Sequence, residues 1–354
     1  MRRRPTYPVL LAMDAPANDA AQTGAIALAV TDAFVIPAYR RLAEATSAQE
    51  QAWVLFSRDR TAANLEQLRV GYHAAADAWA AAQIIHTGPI VLFLRYERFA
   101  YWPEARNATQ RALDTLLSSQ DPDDLLSENL ASNSVAGQGL TALERILFDG
   151  DDPVTALTSE GMDAEWRAAV GLALSRNVNG IANEVLTDWV VEGGMRASIA
   201  AGNGWNNLFA DGAEAARLLL TDLVGAFQLM NDGKLLPVLG DSIDTARPRM
   251  AEAWRSGRPQ RNLAENLAAV REMTMSFAAF TSEPRRAVLL ASLDAAAMAI
   301  AAVPDDMGEA AADPARRPLV QAAFDALKIA QAEAADILPE DLGITLGFNA
   351  LDGD

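Results

Sequence analysis

Apolar residues recur along most of the chain in alternating steps of three and four. One such stripe consists of Leu65, Leu68, Tyr72, Ala75, Trp79 and Ala82. The same spacing recurs in two later stripes, at Leu219, Leu223, Phe227 and Met230 and at Leu263, Leu267, Val270 and Phe277. Because an α-helix has about 3.6 residues per turn, each stripe lies along one face of a helix. We therefore predict an all-α protein of two packed helical-bundle domains.

Glycine, proline and aspartate interrupt this helical pattern most clearly in one acidic stretch. We place an acidic linker there, at residues 151–164. It separates an N-terminal helical domain, residues 24–150, from a C-terminal helical bundle, residues 165–354. Residues 1–23 are expected to form a flexible tail or the remnant of an export signal, because three arginines precede a brief apolar run.

Two further segments are apolar enough to suggest other structures. Residues 90–96 are the only strand-like run, and they are too isolated to build a sheet. Residues 287–303 are apolar except for Ser292 and Asp294. Since Asp294 would lie near the middle of a bilayer at a cost of about 3 kcal/mol, we expect a buried bundle helix instead of a transmembrane span.

Composition narrows the range of functions. The 354-residue chain is 51% apolar and has a formal net charge of −18. Because such a charge repels phosphate backbones and anionic membranes, we expect neither nucleic acid nor a membrane surface as a partner. The chain contains no cysteine, which excludes disulfides, thiolate nucleophiles and zinc–thiolate sites.

Only two histidines are present. On a helical wheel, His73 points away from the stripe that begins at Leu65, one turn before Asp77. We therefore expect a solvated side chain that pairs with Asp77. His86 lies at the apolar end of the same helix, where a protonated imidazole would cap the helix C-terminus. A role for His86 in a functional site remains the alternative.

Residues 137–148 carry the clearest candidate chemistry. Leu140, Leu143 and the apolar residues at 146–148 cover an arc of about 200° on a helical wheel, and Glu144 falls inside it. A lone carboxylate there needs a partner or a raised pKa. Thr141 lies one turn before Glu144 on the same flank, so the two side chains can act together. A buried structural carboxylate tied to an arginine or to backbone amides is the alternative to a functional site.

Five short motifs give this chain a family resemblance. Residues 139–144 resemble the signature Gly-x-His-x-x-Glu of the imelysin-like proteins, which are peptidase family M75 and are also called iron-regulated protein A-like. Residues 34–39 resemble the first helix of that family. Trp79 with Gly88-Pro89 and residues 98–104 resemble its Trp…Gly-Pro…Arg…Phe-Trp-Pro-Asp stretch. Residues 234–240 and 347–354 are also similar to segments of the family.

The resemblance implies an exported protein of the periplasm or cell envelope, all-helical and linked to bacterial iron acquisition. It places a functional site between two domains, and the signature helix belongs to that site. The implied cofactor is iron or another divalent metal, with Glu144 as a ligand, and the implied partner is an iron-related ligand or an envelope protein. Our candidate binding residues are Gly139, Thr141, Glu144, Arg98, Trp102 and His86, with Arg98 as the expected partner of Glu144.

One departure from the family pattern changes the predicted function. Thr141 stands where the family has its histidine, and a threonine hydroxyl is a poor transition-metal ligand compared with imidazole. Catalytic zinc usually takes three protein ligands, and one carboxylate with one hydroxyl does not supply them. We therefore favour a non-catalytic binding or assembly factor over a metal-dependent peptidase, and we assign no catalytic residue. A structural protein-interaction module remains the third alternative.

Overall fold

The computed structural model describes residues 20–104, 106–277 and 280–347, and most of them are helical. The α-helices of the first half are α1 (Ala20–Val30), α2 (Ile36–Arg58), α3 (Ala62–Ala82), α4 (Arg95–Phe99), α5 (Ala108–Ser119), α6 (Ser127–Ser132), α7 (Leu140–Phe148) and α8 (Pro153–Thr158). Those of the second half are α9 (Met162–Val190), α10 (Met195–Ala200), α11 (Gly212–Gln228), α12 (Leu236–Leu239), α13 (Pro259–Phe277), α14 (Glu283–Ala301), α15 (Met307–Ala311) and α16 (Arg317–Leu342).

Two helices continue through a turn of π-helix, at Thr31–Val35 between α1 and α2 and at Leu229–Leu235 between α11 and α12. Short 3₁₀ turns occupy Gly88–Leu94, Pro122–Leu125, Val135–Gly137, Ile243–Thr245 and Pro248–Met250. Within the described ranges no strand forms, and the isolated bridge between Trp205 and Phe209 is the nearest approach to one. The predicted all-α fold of packed bundles is confirmed.

The predicted stripes form the interior of the bundle. Every residue of the α3 stripe, from Leu65 to Ala82, is at most 4% exposed. The stripe that begins at Leu219 in α11 and the one that begins at Leu263 in α13 are buried to the same degree. Since each buried leucine-sized side chain contributes about 1.5–3 kcal/mol relative to an exposed one, burial of these stripes contributes to the driving force for packing.

The helices pair in a pattern that crosses the acidic stretch. The long helix α9 packs along α2, which in turn packs along α3. Helix α1 packs on α11, α13 packs on α3, and α14 pairs with α16. The expected linker at residues 151–164 contains α8 and the first turn of α9. Asp152 immediately precedes α8, and Gly161 immediately precedes α9. The division of the chain into two domains stays a prediction.

Residues 90–96 are not a strand. Pro89 opens a 3₁₀ turn, and Phe93 and Leu94 then adopt left-handed backbone conformations with φ of 57° and 55°. Two consecutive residues with positive φ cannot continue an extended strand. The apolar run therefore turns sharply and leads into α4.

The apolar segment 287–303 forms most of α14 but is buried on one face only. Leu289, Leu293, Ala296 and Ile300 face the core, whereas Val288 and Met298 are 50% and 71% exposed. The segment is a helix of the bundle, as expected, but only one of its faces is buried. Among the described residues, no helix combines the length and the apolar character that a membrane crossing requires. Residues 1–19 and 348–354, which include most of the predicted tail and the last family-like motif, lie outside the described residues.

Candidate functional site

The position of the signature helix α7 is set by a close backbone contact at Gly139. Gly139 immediately precedes α7, and a Cβ atom added there would lie 2.1 Å from the Phe99 carbonyl oxygen and 2.6 Å from that of Arg98. Both contacts are with backbone, which cannot move aside as a flexible side chain can. The absence of a side chain at Gly139 therefore lets residues 98–99 pass directly against the start of α7.

Glu144 is buried in the middle of α7, as its position in the apolar arc predicts. Glu144 is 3% exposed. Its Oε1 atom accepts hydrogen bonds from the Ser256 backbone N–H at 2.9 Å and from the Ser256 hydroxyl at 2.8 Å. Burial raises the pKa of Glu144 above its ordinary value, and the two Ser256 hydrogen bonds and the nearby Arg255 offset part of that rise. Glu144 therefore anchors the chain at residue 256 to the signature helix.

The expected pairing of Glu144 with Arg98 is wrong. Arg98 donates from Nε to the Gln138 side chain at 2.9 Å and from Nη2 to the Asn177 side chain at 3.2 Å. Asn177 also donates to the Gln138 backbone carbonyl at 2.9 Å. Arg98 therefore holds the segment before α7 in place. The sequence contains no signal that the partners of Arg98 are Gln138 and Asn177 instead of Glu144.

Thr141 and Glu144 point their polar atoms to different partners. The Thr141 hydroxyl donates to the Tyr101 backbone carbonyl at 3.4 Å, on the side of the segment that follows α4. Glu144 faces residue 256 instead. The signature positions thus tie two separate stretches of chain to one helix, and the structure does not join the two side chains into one pair.

Arg145, the residue after Glu144, is a buried cation that helical periodicity does not identify. It is 5% exposed although it falls outside the apolar arc of α7. Its Nη1 atom donates to Gln110 and Asp149, and its Nη2 atom donates to Glu104 and Asn107, all within 2.9 Å. The remaining donor, Nε, is buried without a hydrogen-bond partner among the described residues.

A cavity of about 330 Å³ lies where Arg145 meets the residues around Trp254. Its lining includes Trp102 and Glu104 from the segment before α5, together with Arg145 of α7. The remaining walls come from Asn107 and from the segment 249–255, which is held to α7 by the bonds between Glu144 and Ser256. Of our candidate residues, Trp102 lines this cavity, and Glu144 supports the segment that forms its opposite wall.

The segment before α13 also inserts a buried arginine beneath α3. Arg258 is 0% exposed, and its guanidinium donates to Asp77, to Asn262 and to His73 Nδ1 at 3.0 Å. Asp77 pairs with Arg261 as well. The prediction of a solvated His73 is wrong, because the segment around Arg258 covers that side of α3. The pKa of His73 is lowered by burial and by Arg258.

His86 does not cap α3. That helix ends at Ala82, and the imidazole of His86 lies against Tyr96 with ring centroids 4.0 Å apart. Burial lowers the pKa of His86 to about 4, so the ring is neutral at pH 7. A neutral ring has no charge that could stabilise the C-terminus of α3. The expected capping interaction of a protonated His86 is therefore wrong. The backbone N–H of His86 donates a hydrogen bond to Asp222.

The residues around Glu144 do not supply the ligands of a catalytic zinc ion. Such a site usually takes three protein ligands and one open position. Within the described ranges, no group of three or more His, Asp or Glu side chains is placed to hold a metal ion. Oε1 of Glu144 is already engaged by two donors. A role of Glu144 as a ligand for iron or another divalent metal stays a prediction.

Comparison with known proteins identifies the family and the fold of this chain. The sequence matches the model of the imelysin family, peptidase family M75, over residues 35–334. The fold is similar to the crystal structure of an imelysin-like protein from Psychrobacter arcticum 273-4, with a TM-score of 0.74 at 20% identity. That alignment covers 93% of this chain and 98% of the other.

A second similar structure carries the iron-regulated description. It is described as an iron-regulated protein A precursor from Parabacteroides distasonis ATCC 8503, and it aligns with a TM-score of 0.73 at 12% identity, covering 91% of this chain and 95% of the other. A comparison with curated proteins finds no match. The chain belongs to the imelysin family, as the five sequence motifs predict.

Proposed function

We propose that this chain is a non-catalytic binding or assembly factor of the periplasm or cell envelope that takes part in iron acquisition. Membership of the imelysin family and the similarity in fold to an iron-regulated protein A precursor support the connection to iron. The geometry of the signature helix supports a binding role. Both polar signature side chains are used to hold neighbouring segments of the same chain in place.

The observation that carries this proposal is the environment of Glu144. A general base or a metal ligand needs a carboxylate oxygen directed toward substrate or metal. Glu144 is instead buried, and its Oε1 accepts from the backbone and the hydroxyl of Ser256. Its neighbour Arg145 reaches the cavity that the anchored segment encloses. The signature helix therefore shapes a ligand-sized cavity and contributes a cation to its lining.

Two substitutions of Glu144 test the proposal. Glu144→Gln keeps a side-chain carbonyl that can accept both hydrogen bonds from Ser256, so we expect unfolding free energy and growth in iron-limited medium to match wild type. Glu144→Leu leaves the Ser256 backbone N–H without an acceptor, whereas the Ser256 hydroxyl can still donate to the Ala253 carbonyl, and we expect it to lower the unfolding free energy by about 2 kcal/mol. Growth is measured in the encoding strain after gene deletion and complementation, and stability by urea denaturation.

The Glu144→Gln variant distinguishes a supporting role of Glu144 from a role as a general base or metal ligand. An amide is a poor substitute for a carboxylate that takes a proton or binds a divalent cation. A Glu144→Gln protein that folds with wild-type stability yet fails to restore growth would contradict a purely supporting role. Equal growth of the wild-type and gene-deleted strains in iron-limited medium would contradict the proposed link to iron acquisition.

A further inference from the structure

The cavity beside α7 is lined by an unusual concentration of cationic and aromatic groups. Arg145, Arg249 and Arg255 contribute three guanidinium groups, and Glu104 contributes one carboxylate. Trp102 and Trp254 add two indole rings. The cavity volume of about 330 Å³ falls at the lower end of the range for small-molecule sites. This local excess of positive charge stands out in a chain with a net charge of −18.

Two buried donors in this lining have no acceptor. Arg145 Nε and Trp102 Nε1 are both inaccessible to solvent and lack hydrogen-bond partners among the described residues. Arg145 is itself 95% buried, since 5% of its surface is exposed. Guanidinium and indole N–H groups can only donate, so both require an acceptor oxygen or nitrogen from elsewhere. A buried donor without a partner costs about 1–3 kcal/mol, which a ligand that accepts from both would recover.

The arginines at the cavity differ in how far the protein neutralises them. Arg145 is paired with Glu104 and Asp149, and Arg255 donates from Nε to the same Asp149 oxygen at 2.7 Å. Arg249 forms no ion pair within the described part of the chain and lies over the Trp254 ring at 5.5 Å. Arg255 lies over the same ring at 4.4 Å. Arg249 is solvent-exposed, and no carboxylate of the described residues compensates its charge at the cavity.

We infer that this cavity binds a small organic anion whose carboxylate or phosphate oxygens pair with Arg249 and, once the two side chains turn toward the cavity, accept from Arg145 Nε and Trp102 Nε1. Arginine binds both oxyanions through parallel N–H donors, and the two indoles provide apolar surface for the rest of the ligand. The inference rests on the proposed function, because it names the chemical class of ligand for the same site. The signature Glu144 then acts on binding only through the segment that it anchors.

Isothermal titration calorimetry on the full chain tests the inference with defined probes. Citrate, inorganic phosphate and ferric citrate are titrated separately, and glucose serves as the uncharged control. We expect at least one of the three anions to bind saturably at one site, and glucose to give no heat of binding. Ranking the three affinities distinguishes a carboxylate from a phosphate and a free anion from its iron complex. Raising the salt from 50 to 500 mM should weaken binding several-fold.

Two variants locate the binding site. Arg249→Gln removes the uncompensated cation, and Trp102→Phe removes one unpartnered donor while it keeps an aromatic ring. Each is expected to weaken anion binding about tenfold, in line with a lost hydrogen bond to a charged group. Arg58→Gln is the matched control, because Arg58 is exposed at the end of α2 and changes the net charge equally. We expect wild-type affinity from that control.

The possible results separate this inference from the proposed function. If none of the three anions binds to the folded wild-type protein, or if both cavity variants bind as wild type does, the inference is wrong. Either result leaves the Glu144 growth test unaffected, so the proposed function would stand. Conversely, anion binding that is weakened in both variants supports the inference even if gene deletion has no effect in iron-limited medium.

Discussion

Replacing Arg258 with methionine should lower the free energy of unfolding by about 3–5 kcal/mol, as expected when one partner of a buried ion pair is removed. The guanidinium is fully buried and serves Asp77, His73 and Asn262 together. Methionine fills a similar space but leaves these groups without their common donor. Since α13 follows directly and packs on α3, this loss acts on the contact between the two halves of the chain. Urea denaturation, monitored by circular dichroism, measures the free energy of unfolding of both proteins.

Arg261 provides a matched control for this prediction. It pairs with the same carboxylate of Asp77, but its side chain is 52% exposed, compared with 0% for Arg258. Exposed ion pairs contribute about 0–1 kcal/mol, so Arg261→Met should change the free energy of unfolding by no more than that. Similar losses in both variants would contradict the assignment of Arg258 as the buried centre of the network.

His86→Phe should make the protein less sensitive to acid. The pKa of His86 is lowered by burial from about 6.5 in the unfolded chain to about 4 in the folded protein. Between these values the unfolded chain binds the proton more readily, so wild-type stability falls as pH decreases from 6.5 to 4. The shift corresponds to about 3 kcal/mol. Phenylalanine keeps the ring contact with Tyr96 but does not titrate. The loss of unfolding free energy that protonation at position 86 causes should therefore be absent from the variant.

The measurement is the free energy of unfolding of both proteins at pH 7 and at pH 4. Asp222, whose pKa is raised because the carboxyl is buried, accepts hydrogen bonds from the backbone of His86 and Thr87. Its contribution is common to the two proteins and cancels in the comparison. If wild type and His86→Phe lose the same free energy between pH 7 and pH 4, the imidazole is not buried in its neutral form.

The helical fold could be predicted because it depends on local periodicity. Residues such as Leu68 and Phe227 recur at helical spacing, and every residue of those stripes is buried. The errors occurred where a second layer covers a helix. His73 faces away from the apolar stripe of α3, but the segment around Arg258 covers it from the other side. A helical wheel describes one helix and contains no information on a neighbour almost two hundred residues away.

The candidate site was predictable only in part for the same reason. The burial of Glu144 follows from its own helix, whereas its partner Ser256 lies 112 residues further along the chain. Arg145 falls on the polar side of the wheel and is buried because the side chains of Glu104, Asn107 and Gln110 fold over it. One signal was available, since residues 247–258 contain four arginines in an otherwise acidic chain. Pro248 and Gly257 interrupt any helix there, which is typical of a segment that lines a site.

We propose that this member of the imelysin family binds its ligand without turning over a substrate, and a proteolysis assay on the purified wild-type protein tests that proposal most directly. The protein is incubated with casein and with outer-membrane protein fragments, with added zinc or iron and with or without a chelator. We expect no chelator-sensitive cleavage, because Glu144 is engaged by Ser256 and the described residues provide no three-ligand metal group. Chelator-sensitive cleavage that Glu144→Gln abolishes would contradict the proposal.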